Sequence, residues 1–171
     1  VRWQMRGLGL EHLTHDGGHL DCARVLRRGD TPADTYIAVT GCGHNFMAAV
    51  DGEGQAVWNL DRPHFESIDV GRICPDEGGV QIVVDVDHVQ HGDQPLLIIH
   101  ENGEMLGKIM TYGARFHFPI DWHGNGAESI VIGHIGAIFD GAGNKVAHLE
   151  TPASWSGNRA ICHCGDMDGD G

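Results

Sequence analysis

The chain closes on Gly165-Asp166-Met167-Asp168-Gly169-Asp170-Gly171, three carboxylates on alternate residues with glycines between them. Carboxylates at that spacing converge on one hard cation when the intervening glycines let the backbone curl, as in the opening half of a calcium loop. A second copy, Asp121-Trp122-His123-Gly124-Asn125-Gly126-Ala127-Glu128, carries a later carboxylate as well. Asp166, Asp168 and Asp170 are therefore one candidate ligand set for Ca2+, and Asp121, Asn125 and Glu128 are another. In the second set His123 stands where an oxygen ligand belongs, and imidazole is a poor ligand for calcium. The competing expectation at Asp121 is a hydrogen-bonded turn kept for its shape.

Histidine is the other unusual feature, with 13 in 171 residues. His19, His64 and His117 each fall just before a β-type run, His19 and His64 at aligned places and His117 offset by one. An imidazole is the side chain best suited to take and return protons near neutral pH, so these three are candidate catalytic groups. The segment "MTYGARFHFP" adds Tyr112 and Arg115 just ahead of His117. A tyrosine can relay a proton, and an arginine can pair bidentately with a carboxylate. His44 and Trp155 are candidate substrate contacts, whereas Trp58 and Trp122 lie within strand patterns and are expected in packing. The competing expectation for any one histidine is a hydrogen bond to a neighbouring structural unit. No G-x-S-x-G elbow and no glycine-rich phosphate loop ahead of a helix occurs, so neither nucleophilic hydrolysis nor nucleotide binding has support.

The elements that must hold these residues are strands. The runs "RVLRR", "TYIAVTG", "NFMAAVD" and "AVWNL" are followed by "SIDVGRI", "VQIVVDV", "PLLIIHE" and "MLGKI", then by "FPIDW", "ESIVIGH", "GAIFD" and "KVAHLE". Each is short, rich in β-branched residues and bounded by Gly, Asp, Asn or Pro. No run has a helical period, and none is long enough to cross a membrane as a helix. The 26 glycines fit the many tight turns of an all-β fold. The formal net charge of −13 disfavours a nucleic acid or an anionic membrane as the main partner. The five cysteines, Cys22, Cys42, Cys74, Cys162 and Cys164, form no CxxC pair, so a zinc ribbon or a thioredoxin-type motif is unsupported.

These runs repeat. "GHLDCARV" lies over "PHFESIDV", which matches His19 to His64, and "IDWHGNG" lies over "GDMDGDG", which matches Asp121 to Asp166. Turn markers recur before each fourth run: Asp51-Gly52-Glu53-Gly54, Asn102-Gly103-Glu104 and Asp140-Gly141-Ala142-Gly143. Four strands per unit at a period of roughly 40–50 residues is the pattern of β-propeller blades. The expected architecture is all-β, a partial propeller spanning 1–171, with blades near 19–62, 63–115 and 116–160 and the start of another at 161–171. Such a chain is expected to be a fragment, completed by the remaining blades of its parent. An ordinary β-sandwich is the bland alternative.

The stretches "DWHGNGAESIVIG…GAIFDGAGNKV", "GDMDGDG" and "HFESIDVGRICPDEGGVQIVV" resemble the blade motifs of rhamnogalacturonan lyases of polysaccharide lyase family eleven, over most of the chain from His19 onward. His123 departs from that pattern. The resemblance implies a calcium-dependent propeller enzyme, secreted or periplasmic, that cleaves an acidic plant or algal polysaccharide such as rhamnogalacturonan by β-elimination. In that chemistry a cation, calcium or Arg115, neutralises a uronate carboxylate, a histidine takes the adjacent proton, and Tyr112 assists the leaving oxygen. The matching motifs are structural ones and assign no catalytic residue. Two alternatives stand beside this one: a non-catalytic carbohydrate-binding or scaffold propeller, and a propeller glycoside hydrolase. The hydrolase would need two facing carboxylates, which sequence alone does not pair among Glu11, Asp21, Glu66 and Asp87.

Overall fold

The structure, a computed structural model, describes residues 19–42, 45–61, 63–88, 93–111 and 113–150. The alternating and doubly apolar runs form three antiparallel four-stranded sheets, each with its strands in chain order. The first contains β1 (His19–Arg27), β2 (Tyr36–Cys42), β3 (Phe46–Asp51) and β4 (Ala56–Asp61). The second contains β5 (His64–Gly71), β6 (Gln81–Asp87), β7 (Leu96–His100) and β8 (Met105–Ile109). The third contains β9 (His117–Ile120), β10 (Ser129–Ile132), β11 (Ala137–Phe139) and β12 (Lys145–His148). Helix among the described residues is limited to two 3₁₀ turns, Pro32–Asp34 and Pro75–Glu77, each opened by a proline whose fixed φ suits a first helical position.

Why the second sheet is apolar on both faces follows from its neighbours. Along β6 and β7 the side chains alternate between two cores. Ile82, Val84, Val86, Leu97 and Ile99 face Leu26, Ala38, Met47 and Ala49 of the first sheet. Val83, Leu96 and Ile98 face Ile130 and Ile132 of the third. A strand covered on both sides has no polar face to show, which explains the unbroken runs "QIVV" and "LLII". Each fully buried Ile, Leu or Val contributes on the order of 1.5–3 kcal/mol.

The first strands come together. β5 lies against β1 and β2 on one side and against β9 on the other. Polar contacts tie the same seams. Arg24 Nε donates to Asp69 Oδ1 at 3.3 Å, Thr40 Oγ1 to the Glu66 carbonyl at 2.8 Å, and Trp58 Nε1 to the Glu101 carbonyl at 2.9 Å. Trp58 is thus a packing residue between the first two sheets, as expected, whereas Trp122 is exposed in its loop.

The third and fourth strands of every sheet are joined by one turn, used three times. Asp51 N donates to the Gln55 carbonyl, His100 N to Glu104 and Asp140 N to Asn144, all at 2.8–2.9 Å. Gly54, Gly103 and Gly143 have φ of +86°, +93° and +83°, the left-handed conformation this turn requires. The equivalent leading residues are therefore Asp51, His100 and Asp140, not Asp51, Asn102 and Asp140 as the Asp-Gly and Asn-Gly pairs suggested. In the middle copy the His100 ring replaces the carboxylate, with Nδ1 accepting from Asn102 N at 3.2 Å.

Gly141 sits where the third sheet meets the β5–β6 connection. A Cβ there would lie 2.4 Å from the Ile73 carbonyl oxygen and 3.0 Å from Cys74 Sγ. Gly141→Ala should therefore destabilise the fold by about 1–3 kcal/mol, since backbone must shift to relieve the overlap. Gly107→Ala, where the nearest atom would be 3.9 Å away, should be close to neutral. Urea denaturation of the two variants checks this, and equal effects would contradict it.

Candidate functional site

β1 and β5 open in the same way, with His19-Leu20-Asp21 and His64-Phe65-Glu66. In both strands the pairing to the next strand slips at the acidic residue. The β1–β2 register shifts between Leu20 and Cys22, and the β5–β6 register between Phe65 and Ile68. A bulge leaves an extra residue unpaired and re-aims its side chain. The Asp21 carboxylate thereby meets two imidazoles from different sheets. Its Oδ1 is 2.9 Å from His19 Nε2, and its Oδ2 is 3.7 Å from His64 Nε2. The second distance is too long for a hydrogen bond.

The β5 bulge organises the other half of the cluster. Glu66 pairs with Arg115, which arrives from the segment before β9. Glu66, Asp87 and His88 hold a ligand atom each within 4.8 Å of one another. His88 stacks on His64 with ring centroids 4.8 Å apart and an interplanar angle of 16°. His19, Asp21, His64, His88, Asp87, Glu66 and Arg115 thus form one continuous polar group at the starts of β1 and β5, the end of β6 and the approach to β9. Of these, His19, His64 and Arg115 were expected to act. Asp21, Glu66 and Asp87 were visible as carboxylates that the sequence could not match with one another, and His88 was missed. The available signal was the His-x-acid pattern shared by β1 and β5.

Beneath this group lies Asp85, fully buried opposite the β5 bulge. Its Oδ1 accepts from Ser67 N at 2.7 Å and contacts Ser67 Oγ at 2.8 Å, while Ser67 Oγ also stands 2.6 Å from the Arg115 carbonyl oxygen. A hydroxyl has one proton and cannot donate to both oxygens. Ser67 Oγ therefore donates to the Asp85 carboxyl and to the Arg115 carbonyl oxygen in turn, one at a time. Burial pushes the Asp85 carboxyl above its ordinary range, against the lowering pull of the Ser67 bonds and of His117.

His117 has a structural role. Its Nδ1 is 2.8 Å from the Ala114 carbonyl oxygen and its Nε2 is 3.1 Å from that of Val83. Both partners are acceptors, so only the doubly protonated ring satisfies both. The side chain is buried and ties the start of β9 to β6.

The Asp121 loop forms a hydrogen-bonded turn. Asp121 Oδ1 accepts from Asn125 N at 3.0 Å and Oδ2 from Gly126 N at 2.9 Å. Asn125 Oδ1 accepts from Ala127 N at 3.0 Å. Glu128 Oε2 accepts from Arg72 N at 2.6 Å, which fastens the third sheet to the second. The bond from Gly126 N, followed by that from Asn125 N, draws the exposed Asp121 carboxyl below its ordinary range. These bonds give the loop the hydrogen-bonded shape expected of it as the alternative to a cation site, with His123 in a ligand position. Among the described residues, groups of three His, Cys, Asp or Glu ligands lie elsewhere, at His19, Asp21 and Cys42 and at Glu66, Asp87 and His88. His44, Tyr112, Trp155, Asp166, Asp168 and Asp170 lie outside the described residues.

Comparison with protein-family models gives no match, and comparison with curated proteins gives none. Among solved structures the chain is similar to a protein of unknown function from Bacteroides caccae, at 16% identity and a TM-score of 0.46. The similarity covers 78% of this chain and 47% of the other, so the chain spans about half the length of that protein.

The raised Asp85 carboxyl has a stability consequence. The folded state holds this proton more tightly than the unfolded state, so folding stability falls as pH rises from the ordinary carboxylate range through the higher folded value. Asp85→Asn keeps an oxygen for the Ser67 bonds and has no proton to lose. Melting temperature against pH should therefore decline less steeply over that interval in the variant than in the parent. Parallel curves would show that Asp85 is not the group responsible.

Proposed function

We propose that the three sheets are consecutive blades of a β-propeller and that the chain belongs to a lyase that cleaves a uronate-containing polysaccharide by β-elimination. The observation that carries this reading is the pairing of an exposed imidazole, His19, with a carboxylate, Asp21, at the same strand ends as the Arg115–Glu66 ion pair. The adjacent first strands and the in-order antiparallel sheets support the propeller. The resemblance of the blade motifs to rhamnogalacturonan lyases points to an acidic plant or algal polysaccharide, and to a secreted or periplasmic protein. Calcium belongs to this reading through Asp166, Asp168 and Asp170.

The chemistry follows from the side chains. Hydrogen bonding of His19 Nε2–H to Asp21 leaves Nδ1 with the lone pair and holds the ring in place, the role a carboxylate plays behind a catalytic histidine. The proton next to a uronate carboxylate is only weakly acidic, so that carboxylate must be neutralised. Arg115 is about one-third exposed (33%) and brings a guanidinium to the cluster for that purpose. His19 Nδ1 takes the proton, the C–H electron pair becomes the new C=C bond, and the glycosidic C–O bond breaks. Tyr112 is the expected donor of a proton to the leaving oxygen. His64 faces Asp21 Oδ2 at 3.7 Å, and His117 braces the segment that carries Arg115.

A glycoside hydrolase is the second reading, favoured by one observation. Glu66 and Asp87, which sequence could not pair, bring carboxylate oxygens within 4.8 Å. A retaining hydrolase separates its carboxyl groups by roughly 5–5.5 Å. Both groups are buried, and Arg115 already occupies Glu66, which weighs against that use.

Incubation of the intact protein with rhamnogalacturonan and other uronate polysaccharides separates these readings. The lyase produces unsaturated uronate ends with a new ultraviolet absorbance, and His19→Gln should lower that rate by about 100-fold or more. New reducing ends without the absorbance would establish the hydrolase. Full lyase activity in His19→Gln would overturn the assignment of the base.

A further inference from the structure

We infer that a zinc-class divalent cation binds where the first two sheets meet, held by His19, Asp21, Cys42 and His64. His19 and Cys42 are directly opposed across the β1–β2 pair, and the β1 bulge delivers Asp21 beside them. One ligand atom from each of His19, Asp21 and Cys42 lies within 4.8 Å of the others. Cys42 is a free, half-buried thiol.

The independent sign of a ligand comes from the second sheet. His64 is more than nine-tenths buried, with a side-chain exposure of 9%. Its Nε2 has no hydrogen-bond partner, and neither has Asp21 Oδ2, although both atoms are shut away from solvent. They face each other at 3.7 Å. Two buried polar atoms that point at each other without bonding cost stability unless something lies between them. Bond lengths of about 2.0–2.3 Å to a tetrahedral ion put its ligand atoms roughly 3.3–3.8 Å apart. The separation that is too long for a hydrogen bond therefore suits one edge of a metal tetrahedron.

The donor set determines the class of ion. Two imidazole nitrogens, a thiolate and a carboxylate select zinc or a similar borderline cation, whereas calcium takes an all-oxygen shell. The thiolate and carboxylate together balance a divalent charge. The stack of His88 on His64 fixes the orientation of that ring, as an outer partner does for a metal-bound histidine. His64 Nε2 stands beside Asp21 Oδ2 but outside the group that His19, Asp21 and Cys42 form within 4.8 Å, so a small shift of its ring toward the ion closes the site and staples β1 and β2 to β5. It uses none of the residues of the aspartate motifs and does not depend on the lyase reading. Where that reading holds, the ion and the proton transfer compete for His19.

The test is a Co2+ titration of the intact protein carrying Cys162→Ser and Cys164→Ser, which removes the thiols beside His163 as a rival soft site. The expected result is a tetrahedral cobalt spectrum with a thiolate-to-metal charge-transfer band, displaced by Zn2+, and a melting temperature raised by Zn2+. Cys42→Ser should abolish the charge-transfer band. His64→Gln, or His19→Gln at the exposed strand start should the buried variant fail to fold, should weaken cobalt binding by about tenfold or more. The absence of a thiolate band, or a band and affinity unchanged in these variants, would overturn the site. None of these readouts uses polysaccharide turnover, so the outcome is distinct from that of the lyase assay.

Discussion

The second sheet is buried on both faces, and the rest of the structure depends on that. Its β6 and β7 strands send alternate side chains into two cores, one shared with each neighbouring sheet. A four-stranded sheet with short strands cannot bury enough apolar surface alone, so each must lie against another. The middle sheet thus fixes the spacing of all three. It also brings β1, β5 and β9 side by side and sets their polar starts at one end.

Burial on both faces leaves little room for polar groups, and those that enter are arranged by irregularities in the ladder. The β5 bulge opposes Asp85, and Ser67 then links that carboxyl to the segment carrying Arg115. The β1 bulge turns Asp21 toward imidazoles of two sheets. In a low-dielectric seam each such group needs a partner or a shifted proton affinity. That requirement explains why Asp85 retains its proton more readily, why His117 uses both ring nitrogens and why Glu66 takes Arg115. It also makes the unbonded approach of His64 to Asp21 informative.

Much of the fold was legible in the sequence because strand formation here is local. The twelve apolar runs correspond to the twelve strands, and their grouping by four appears in the sheets. Glycine and aspartate mark the turns since few other residues tolerate those dihedrals. The middle turn was misaligned for a physical reason. His100 Nδ1 accepts the N–H that a carboxylate accepts elsewhere, so the equivalent residue is of a different type. The Asp121 copy of the metal motif was legible as a motif, but its role was not. Whether such oxygens bind a cation or backbone N–H groups depends on the path of the loop and on Arg72 of another sheet.

The sequence by itself determined the all-β class, the four-strand repeat, and the histidines and arginine that share one end of the strands. These follow from side-chain alternation, turn chemistry and a repeat that places like residues at like positions. Only the tertiary structure decided which of those residues meet. His19 and His64 look equivalent in the sequence, yet one is exposed and the other is buried against His88. His117 resembles both but lies at the head of a strand that pairs without a bulge, where neighbouring carbonyl groups take up its ring. The difference arises because burial, and the partners that burial imposes, are properties of the seam between two sheets and of neither strand alone.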